Sequence, residues 1–380
     1  MRHRVLARAM VFYLLGSVCV LFAREKPMAL VPLTVAQLIE LVHNSKGMRD
    51  SDLAKELGRL HLTGRLSTPK LTMLSAELPG TKSQIALMAL ADASVFLSPE
   101  PTDVLPQSSP DLNEQKRMMA LTVDYLAKTL PKLPDFYATR TTVRYDGDTP
   151  EGKLRNWAAS QGNSLWREVG STKVVVTYRD GKEVVDPRDW ERQSSHPEGE
   201  GLIAKGTFGP ILLTVIVDAA HGETTWDRWE RESGGTLAVF RYSVPESQSH
   251  YSVALHGLNS DKGDAEVATG YHGEVAIDPS TGTILRLTVQ ADLPFGSPIL
   301  EGDMMVEYGP VEIGGKTYTC PVRSVSISLT MEGLAGGTGS LGRSAQPPQA
   351  ILLNDVKFDD YHLFRSNLRI LTGNITAPNH

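Results

Sequence analysis

From Pro134 onward, apolar and polar residues alternate in segment after segment, and short turn sequences separate these segments. The segment Leu285–Leu293 reads LRLTVQADL, with an apolar residue at every second position. A period of two is typical of a β-strand that buries one of its faces. This part of the chain is therefore predicted to form an antiparallel sheet built from consecutive hairpins.

The turns between these segments have the composition of tight hairpin turns. Asp180-Gly181, Gly234-Gly235 and Gly314-Gly315 each stand between two alternating segments, and DPSTG occupies Asp278–Gly282. Asp-Gly and Gly-Gly pairs favour the backbone conformation with positive φ that two-residue hairpins need. The four turns predict four hairpins in sequence.

One face of this sheet is predicted to be apolar and to be covered from one side only. The alternation slips between Val322 and Val325, which indicates a β-bulge. The sequence does not tell which face is concave. The expected lining of a cavity under the apolar face consists of Phe240, Tyr242, Leu285, Leu287, Val289, Val325 and Ile327.

The residues before the sheet are predicted to be helical. Four short amphipathic segments fill residues 30–97, with Thr34 as a helix N-cap and Thr68-Pro69 as another helix start. Residues 98–112 are rich in proline and serine and are predicted to be a linker or an ordered surface segment. A longer helix is expected over Asn113–Leu130, and the sheet domain is expected to span residues 113–380.

A further helix is predicted inside the sheet domain, over Pro210–His221. Its β-branched residues also fit a strand, but a dozen residues without alternation are long for one. With this helix, the predicted fold class is α+β: a helical module followed by a curved antiparallel sheet with packed helices.

The first residues predict export. Arg2, Arg4 and Arg8 precede an uncharged apolar run, Val11–Ala23, which is short for a membrane span of about 20 residues. We interpret residues 1–29 as a signal peptide and expect a periplasmic or cell-envelope location, with a retained anchor as the alternative. Removal of the signal leaves Cys320 as the sole cysteine, so no internal disulfide is expected and buried packing is its favoured role.

Charge argues against nucleic acid as a partner. The net charge is -6, and no run of five basic residues occurs. Nucleic-acid binding usually requires a basic face. Membrane contact is expected to be peripheral at most.

Three segments approach known catalytic patterns without completing them. GPVEIGGKT, Gly309–Thr317, approaches a phosphate-binding loop, but its spacing is one residue too long and its context is strand-turn-strand. Ser67–Lys70 has Ser-x-x-Lys spacing without the partner motifs of acyl-enzymes. Asp359 and Asp360 are neighbours, and side chains on opposite faces of a strand make a poor acid–base pair.

The histidines show no metal-ligand spacing, and neither HExxH nor GxSxG occurs. Those in or near predicted strands are His250, His256, His272 and His362. We therefore predict no enzyme activity, no cofactor and no metal.

The segment WDRWER, Trp226–Arg231, holds two tryptophans three residues apart. On a regular strand they would face opposite ways, and on a helix they would share a face. Sealing of a core edge is the preferred role, and a binding surface is the alternative.

Several of these segments resemble known families. FGPILLTVIVDAAHGETTWDRWE and YHGEVAIDPSTGTILRL are similar to segments of an uncharacterised family of secreted acidobacterial proteins. From Asn113 onward, the order of helix, LPDFYATRTTVRY-type strands and late hairpins resembles the LolA-like periplasmic lipoprotein carriers. This resemblance implies a half-barrel that encloses an apolar cavity for acyl chains. The helical module lies outside the resemblance.

Three functions are compatible with the sequence. The first is a non-enzymatic envelope protein that binds or carries an apolar or lipidated ligand. The second is an envelope scaffold or signalling partner whose sheet is filled by its own helices and which acts through protein contacts. The third is a hydrolase with a site of unrecognised type.

Overall fold

A computed structural model describes the chain in several ranges: residues 31–147, 166–185, 201–202, 210–232, 234–256, 265–294, 297, 299–331 and 349–364. The predicted signal peptide, residues 1–29, lies outside these ranges. The fold class is α+β, as predicted, and the large antiparallel sheet does not close into a barrel.

The helical module contains the four predicted helices and two short parallel strands that the sequence did not predict. Thr34 caps the first helix as expected, and Gln37 completes the capping box. Leucines on the inner faces of the helices make a core of their own, with Leu38, Leu53 and Leu74 completely buried. The elements are β1 (Val31–Leu33), α1 (Val35–Asn44), α2 (Asp50–Leu57), β2 (Leu60–Leu62), α3 (Thr68–Glu77) and α4 (Thr81–Asp92).

The predicted linker is an ordered segment that runs along the edge of the large sheet. Asp103 and Leu105 exchange backbone hydrogen bonds with residues around Trp229 on the edge strand. The long helix α5 (Leu112–Thr129) follows, capped by the Asp111 carboxylate, which accepts from the Glu114 N–H. The second predicted helix of this domain is confirmed as α6 (Pro210–His221).

The large sheet has ten strands in the order β5-β4-β3-β15-β14-β13-β12-β11-β8-β7, all of them antiparallel. Its strands are β3 (Phe136–Gly147), β4 (Trp166–Arg179), β5 (Lys182–Val185), β7 (Glu223–Glu232), β8 (Gly235–Val244), β11 (Gly270–Ile277), β12 (Ile284–Asp292), β13 (Ile299–Ile313), β14 (Lys316–Met331) and β15 (Gln349–Leu363). A separate small sheet joins β6 (Gly201–Leu202), β9 (Ser252–His256) and β10 (Ala265–Ala268).

The predicted hairpin turns are confirmed. Asp180 and Gly181 both have positive φ between β4 and β5, as do Gly314 and Gly315 between β13 and β14. The GPVEIGGKT segment is therefore a hairpin and not a phosphate-binding loop. Near the carboxy-terminal end of the described residues, β15 is one long strand of 15 residues.

Bulges decide which residues share a face. The predicted irregularity near Val322 is confirmed, since the partners of β13 step from Arg323 to Pro321 there. A second bulge at Asp227 places Trp226 and Trp229 on the same face, with ring centroids 4.7 Å apart. WDRWER does form a strand, but the extra residue of the bulge changes the phase of that strand, so the two tryptophans do not face opposite ways.

Both faces of the sheet are covered, which corrects the prediction of a one-sided cover. On one face, here called the helix-pair face, α5 and α6 pack against strands β8 and β11–β13. On the other, the module face, Ala89 of α4 and the following Ala93 and Val95 pack against β13, β14 and β15. The helical module itself supplies this second cover, and alternation within single strands did not reveal it.

Candidate ligand groove and buried charge network

A solvent-open groove runs between α5 and α6 on the helix-pair face. Its cavity volume is about 350 Å³. Ligand pockets usually have volumes of about 300–1,000 Å³ and mainly apolar walls. The lining residues are Met119, Ala120, Val123, Ile216, Ala219, Ala220, Gly222 and Thr224.

The sequence of α6 explains why this groove is apolar. The face of α6 toward the sheet is buried, with Val215 fully inaccessible to solvent. Its outer face carries Leu213 and Val217, which are 52% and 43% exposed. An amphipathic surface helix would place polar residues at these positions. The outer face of α6 therefore offers apolar contact area beside the groove.

The predicted cavity residues do not line one cavity. Phe240, Tyr242, Leu287 and Val289 lie on the helix-pair face, are at most 3% exposed and pack in the core beneath α5 and α6. Leu285 packs instead beside Leu237 and Val239 on the module face, because the pairing of β12 with β11 shifts at this point.

Val325 and Ile327 also lie on the module face, where they pack against the α4 region. The register shows why: Leu287 pairs with Val306, and Val306 pairs with Ser324, so Ser324 and not Val325 shares the face of Leu287. The apolar sides of β12 and β14 thus point in opposite directions. Alternation within each strand was correct, but their relative phase depends on pairing.

A buried charge network lies on the module face, and the sequence reasoning missed it. Glu230 is 1% exposed and accepts hydrogen bonds from three guanidinium groups. Arg286 binds it through both nitrogens at 2.9 and 3.0 Å, Arg228 donates at 2.8 Å, and Arg65 of the helical module donates as well. Arg228 also donates hydrogen bonds to both carboxylate oxygens of Glu274, at 2.8 and 2.7 Å. Arg65 and Glu230 are 165 residues apart, so no local pattern relates them.

The network holds its carboxylates in the ionised form. Burial alone acts to raise the pKa of Glu230, but the charges of Arg286 and Arg65 outweigh burial and lower this pKa to about 2. The pKa of Glu274 is also lowered, mainly by Arg228 against the effect of burial. Buried charges of this kind are stable only when they are paired.

Alternating charge continues across the neighbouring strands. Arg286, Glu307 and Arg323 are direct cross-strand partners on β12, β13 and β14. Arg323 donates to Asp92 at the end of α4 and, at 3.1 Å, to Asp355 on β15. The result is a row of charges, continuous from the sheet into the helical module, that fixes how the module sits on the sheet.

The predicted histidines lie at separate places. His250 donates to the buried carboxylate of Asp218, which also accepts from the Tyr271 hydroxyl at 2.9 Å. His272 lies 2.8 Å from Asp292, and the ring of His362 lies 5.2 Å from that of Tyr137. The side chain of His256 is outside the described part of the chain. Within the described residues, no group of three or more potential ligands is placed to hold a metal ion.

The remaining predicted positions have structural roles. Cys320 is buried, as expected, and burial raises the pKa of its thiol to about 12. Ser67 directly precedes α3, which fits the interpretation as a helix start. Asp360 has a φ of 51° beside an irregularity in β15. Trp226 and Trp229 are partly buried against the core under α5 and α6.

No protein-family model, curated protein or solved structure matches this chain. The similarities to the acidobacterial family and to the LolA-like carriers therefore stay predictions. Within the described residues, no helix has the length and apolar composition needed to span a bilayer.

Proposed function

We propose that this protein is a non-enzymatic binding or carrier protein of the cell envelope, whose ligand is apolar or lipidated. The groove between α5 and α6 is the proposed entry for an acyl chain. Its apolar walls and its cavity of about 350 Å³ are the observation that supports this function. The exposed Leu213 and Val217 beside it extend the apolar contact.

The groove is suited to a flexible chain because its walls are small. Ala120, Ala219 and Ala220 leave space between two helices that are otherwise anchored in the core. Transfer of an acyl chain from water to such a site gains about 0.8 kcal/mol per buried methylene.

The test is direct binding. The purified chain is extracted, and its lipids are identified by mass spectrometry; binding of a fluorescent fatty acid is then titrated. Ala220→Phe fills the groove and is expected to weaken the probe about tenfold, which corresponds to about 1.4 kcal/mol. Ala127→Phe, at an exposed position of α5 outside the lining, is the matched control and leaves affinity unchanged.

Two results would contradict the carrier role. One is the absence of both co-purified lipid and probe binding. The other is an equal loss of affinity in both phenylalanine variants, since a specific groove responds only to the first.

The dense packing under α5 and α6 favours one alternative, a scaffold or signalling protein that acts through an envelope protein partner. The protein's own helices cover Phe240, Tyr242 and Leu287. In that case the unmodified chain captures a partner protein reproducibly from envelope extracts. Leu213→Asp, on the outer face of α6, is expected to abolish this capture. A clean blank with the unmodified chain contradicts this alternative.

A further inference from the structure

The outer surface of the helix pair α5 and α6 is aliphatic on both sides of the groove. On α6, Leu213, Val217 and Ala220 follow one another at helical spacing, so they form one row along the helix. A second row follows α5 on the other side of the groove. The two rows are here called the aliphatic surface, whose residues are Ala120, Val123, Ala127, Leu213, Val217 and Ala220, all of them exposed.

The three larger side chains of the aliphatic surface lie about half in solvent. Leu213 and Val217 are 52% and 43% exposed, and Val123, which also lines the groove, is 49% exposed. A surface helix normally carries polar residues on its outer face. An exposed apolar patch beside a groove marks a site of contact with a ligand, a membrane or a protein.

One lysine extends the aliphatic surface with a positive charge. Lys116 lies one helical turn before Ala120 and therefore on the same side of α5. Lys116 is exposed and forms no ion pair within the described residues. The other charged side chains of α5 form two ion pairs, Arg117–Glu114 and Lys128–Asp124.

The nearby acid Glu223 does not cancel this charge. The groove residue Thr224 pairs with Tyr242 of the helix-pair face, and alternation along β7 directs the side chain of Glu223 to the opposite face of the sheet. The aliphatic surface thus carries a positive charge on a chain whose net charge is -6.

The composition of the aliphatic surface favours a lipid over a protein as its partner. The residues that dominate protein interfaces are mainly tryptophan, tyrosine and arginine, and leucine and valine are under-represented among them. The aliphatic surface consists of leucine, valine and alanine only. Helices that lie in the headgroup region of a membrane bury aliphatic side chains and place lysines at the polar edge.

We infer that the aliphatic surface docks on a lipid bilayer with anionic headgroups. Leu213, Val217 and Val123 enter the boundary between headgroups and acyl chains, and Lys116 binds the headgroup phosphates. The groove then opens toward the acyl chains of the membrane. The inference goes beyond the proposed function, because it predicts membrane contact whether or not the groove retains a lipid.

The first experiment measures co-sedimentation of the full-length protein with vesicles of phosphatidylcholine alone and of an equal mixture with phosphatidylglycerol. Leu213→Ser/Val217→Ser is expected to weaken binding to the mixed vesicles at least about tenfold, because less apolar surface leaves water. Met48→Ser/Met73→Ser is the matched control, at positions of the helical module that are 40% and 44% exposed. This control is expected to leave vesicle binding unchanged.

A second substitution tests the charge. Lys116→Gln is expected to weaken binding to the mixed vesicles about fivefold, the effect of one basic residue near an anionic membrane. Binding to phosphatidylcholine alone should not change. Lys55→Gln, at an exposed lysine of α2, is the matched control.

A fluorescent label reports the aliphatic surface itself, even where the apolar run Val11–Ala23 also binds lipid. A polarity-sensitive fluorophore is attached at Leu213→Cys and, as the control, at Met73→Cys. Both variants carry Cys19→Ser, and Cys320 is buried. Mixed vesicles are expected to shift the emission of the label at position 213 to shorter wavelength and to leave the label at position 73 unchanged.

Two results would overturn membrane docking and leave the carrier function standing. One is the absence of an emission shift at position 213, or equal losses of vesicle binding in the two double-serine variants. The other is a protein partner that the unmodified chain captures and Leu213→Ser/Val217→Ser does not, without any shift at position 213. The aliphatic surface would then be a protein interface.

Ala220→Phe separates membrane docking from the carrier function. It fills the groove and adds an apolar side chain to the aliphatic surface. Binding of the fluorescent fatty acid should therefore fall, whereas vesicle binding should persist. Vesicle binding by a protein whose groove takes up no fatty acid removes the carrier function and leaves membrane docking standing.

Discussion

Glu230 lies at the centre of the buried charge network. It is a carboxylate with 1% exposure that balances three arginines from two strands and the helical module. Tertiary contacts bring Arg65 and Arg286 to Glu230, since both arginines are remote from it along the chain. Removal of its charge leaves the buried guanidinium groups of Arg65 and Arg286 without the carboxylate to which they donate.

We expect Glu230→Gln to lower the free energy of unfolding by about 3–5 kcal/mol, the usual effect of breaking a buried ion pair. Urea denaturation at pH 7 measures it. Asp124→Asn is the control, because Asp124 pairs with Lys128 on the exposed surface of α5, where an ion pair contributes about 0.5 kcal/mol. Similar effects of the two substitutions would contradict a structural role for the network.

Acid should lower the free energy of unfolding because it protonates the same residue. The pKa of Glu230 is lowered to about 2 from an ordinary 4.5, so its stabilising effect is complete above about pH 4.5 and is lost as the pH falls toward 2. Between pH 5 and pH 2, the free energy of unfolding should therefore fall more steeply for the unmodified protein than for Glu230→Gln. Parallel curves would exclude this assignment.

Gly282 combines two constraints at a single turn. Its φ is +74°, and a Cβ would lie 2.4 Å from the backbone of Leu121 on α5. Gly315 has a similar φ of +79° but open space around it. Gly315→Ala should cost about 1 kcal/mol for the backbone conformation alone, and Gly282→Ala at least about 2 kcal/mol more. Equal costs in thermal or urea denaturation would mean that the turn does not press against α5.

At the scale of single elements, α6 shows why an apolar sequence is not enough to assign a core face. The helix was predictable from its length and from the absence of alternation. Its two faces were not, because both are apolar: Ile211, Val215 and Ala219 are buried, whereas Leu213 and Val217 are exposed. Contact with the sheet decides between them.

Substitution to alanine should separate these faces. Val215→Ala removes two methyl groups from the core and should cost about 2 kcal/mol. Val217→Ala, two residues further along the helix on the outer face, should change stability by less than about 0.5 kcal/mol. Denaturation curves of both variants check this, and a large effect of Val217→Ala would show that the outer face is covered in the native protein.

The relative phase of the strands also depends on tertiary contacts. Alternation in β12 and β14 was read correctly within each strand, yet Leu287 and Val325 ended on opposite faces of the sheet. The bulge at Asp227 reversed the expected arrangement of the two tryptophans in the same way. A shift of one residue exchanges the faces of a strand, and long-range pairing alone sets that shift.

In the whole molecule, the sheet is enclosed from both sides. α5 and α6 cover one face, and the helical module covers the other through α4 and the charged row that includes Arg65, Asp92 and Arg323. The module therefore belongs to the same cooperative unit as the sheet, although its leucine core is separate.

This predicts a single unfolding transition at neutral pH. All five tryptophans lie after residue 150, and Trp166, Trp226 and Trp229 lie on strands of the large sheet, so tryptophan fluorescence follows the unfolding of the sheet. Hydrogen exchange of amides in α1–α4 reports the module. The two measurements should give the same free energy of unfolding, and a lower value for the module would show that it opens independently.

The sequence alone determined the elements of this protein: the helices with their capping residues, the strands with their period of two, the glycine turns and the α+β class. These are local properties, because they depend on residues within a few positions of one another. Tertiary structure alone decided the relative phase of the strands, the cover on the second face, the groove between α5 and α6 and the partners of Glu230. Those features arise from pairings between residues far apart in the chain, which no local pattern records.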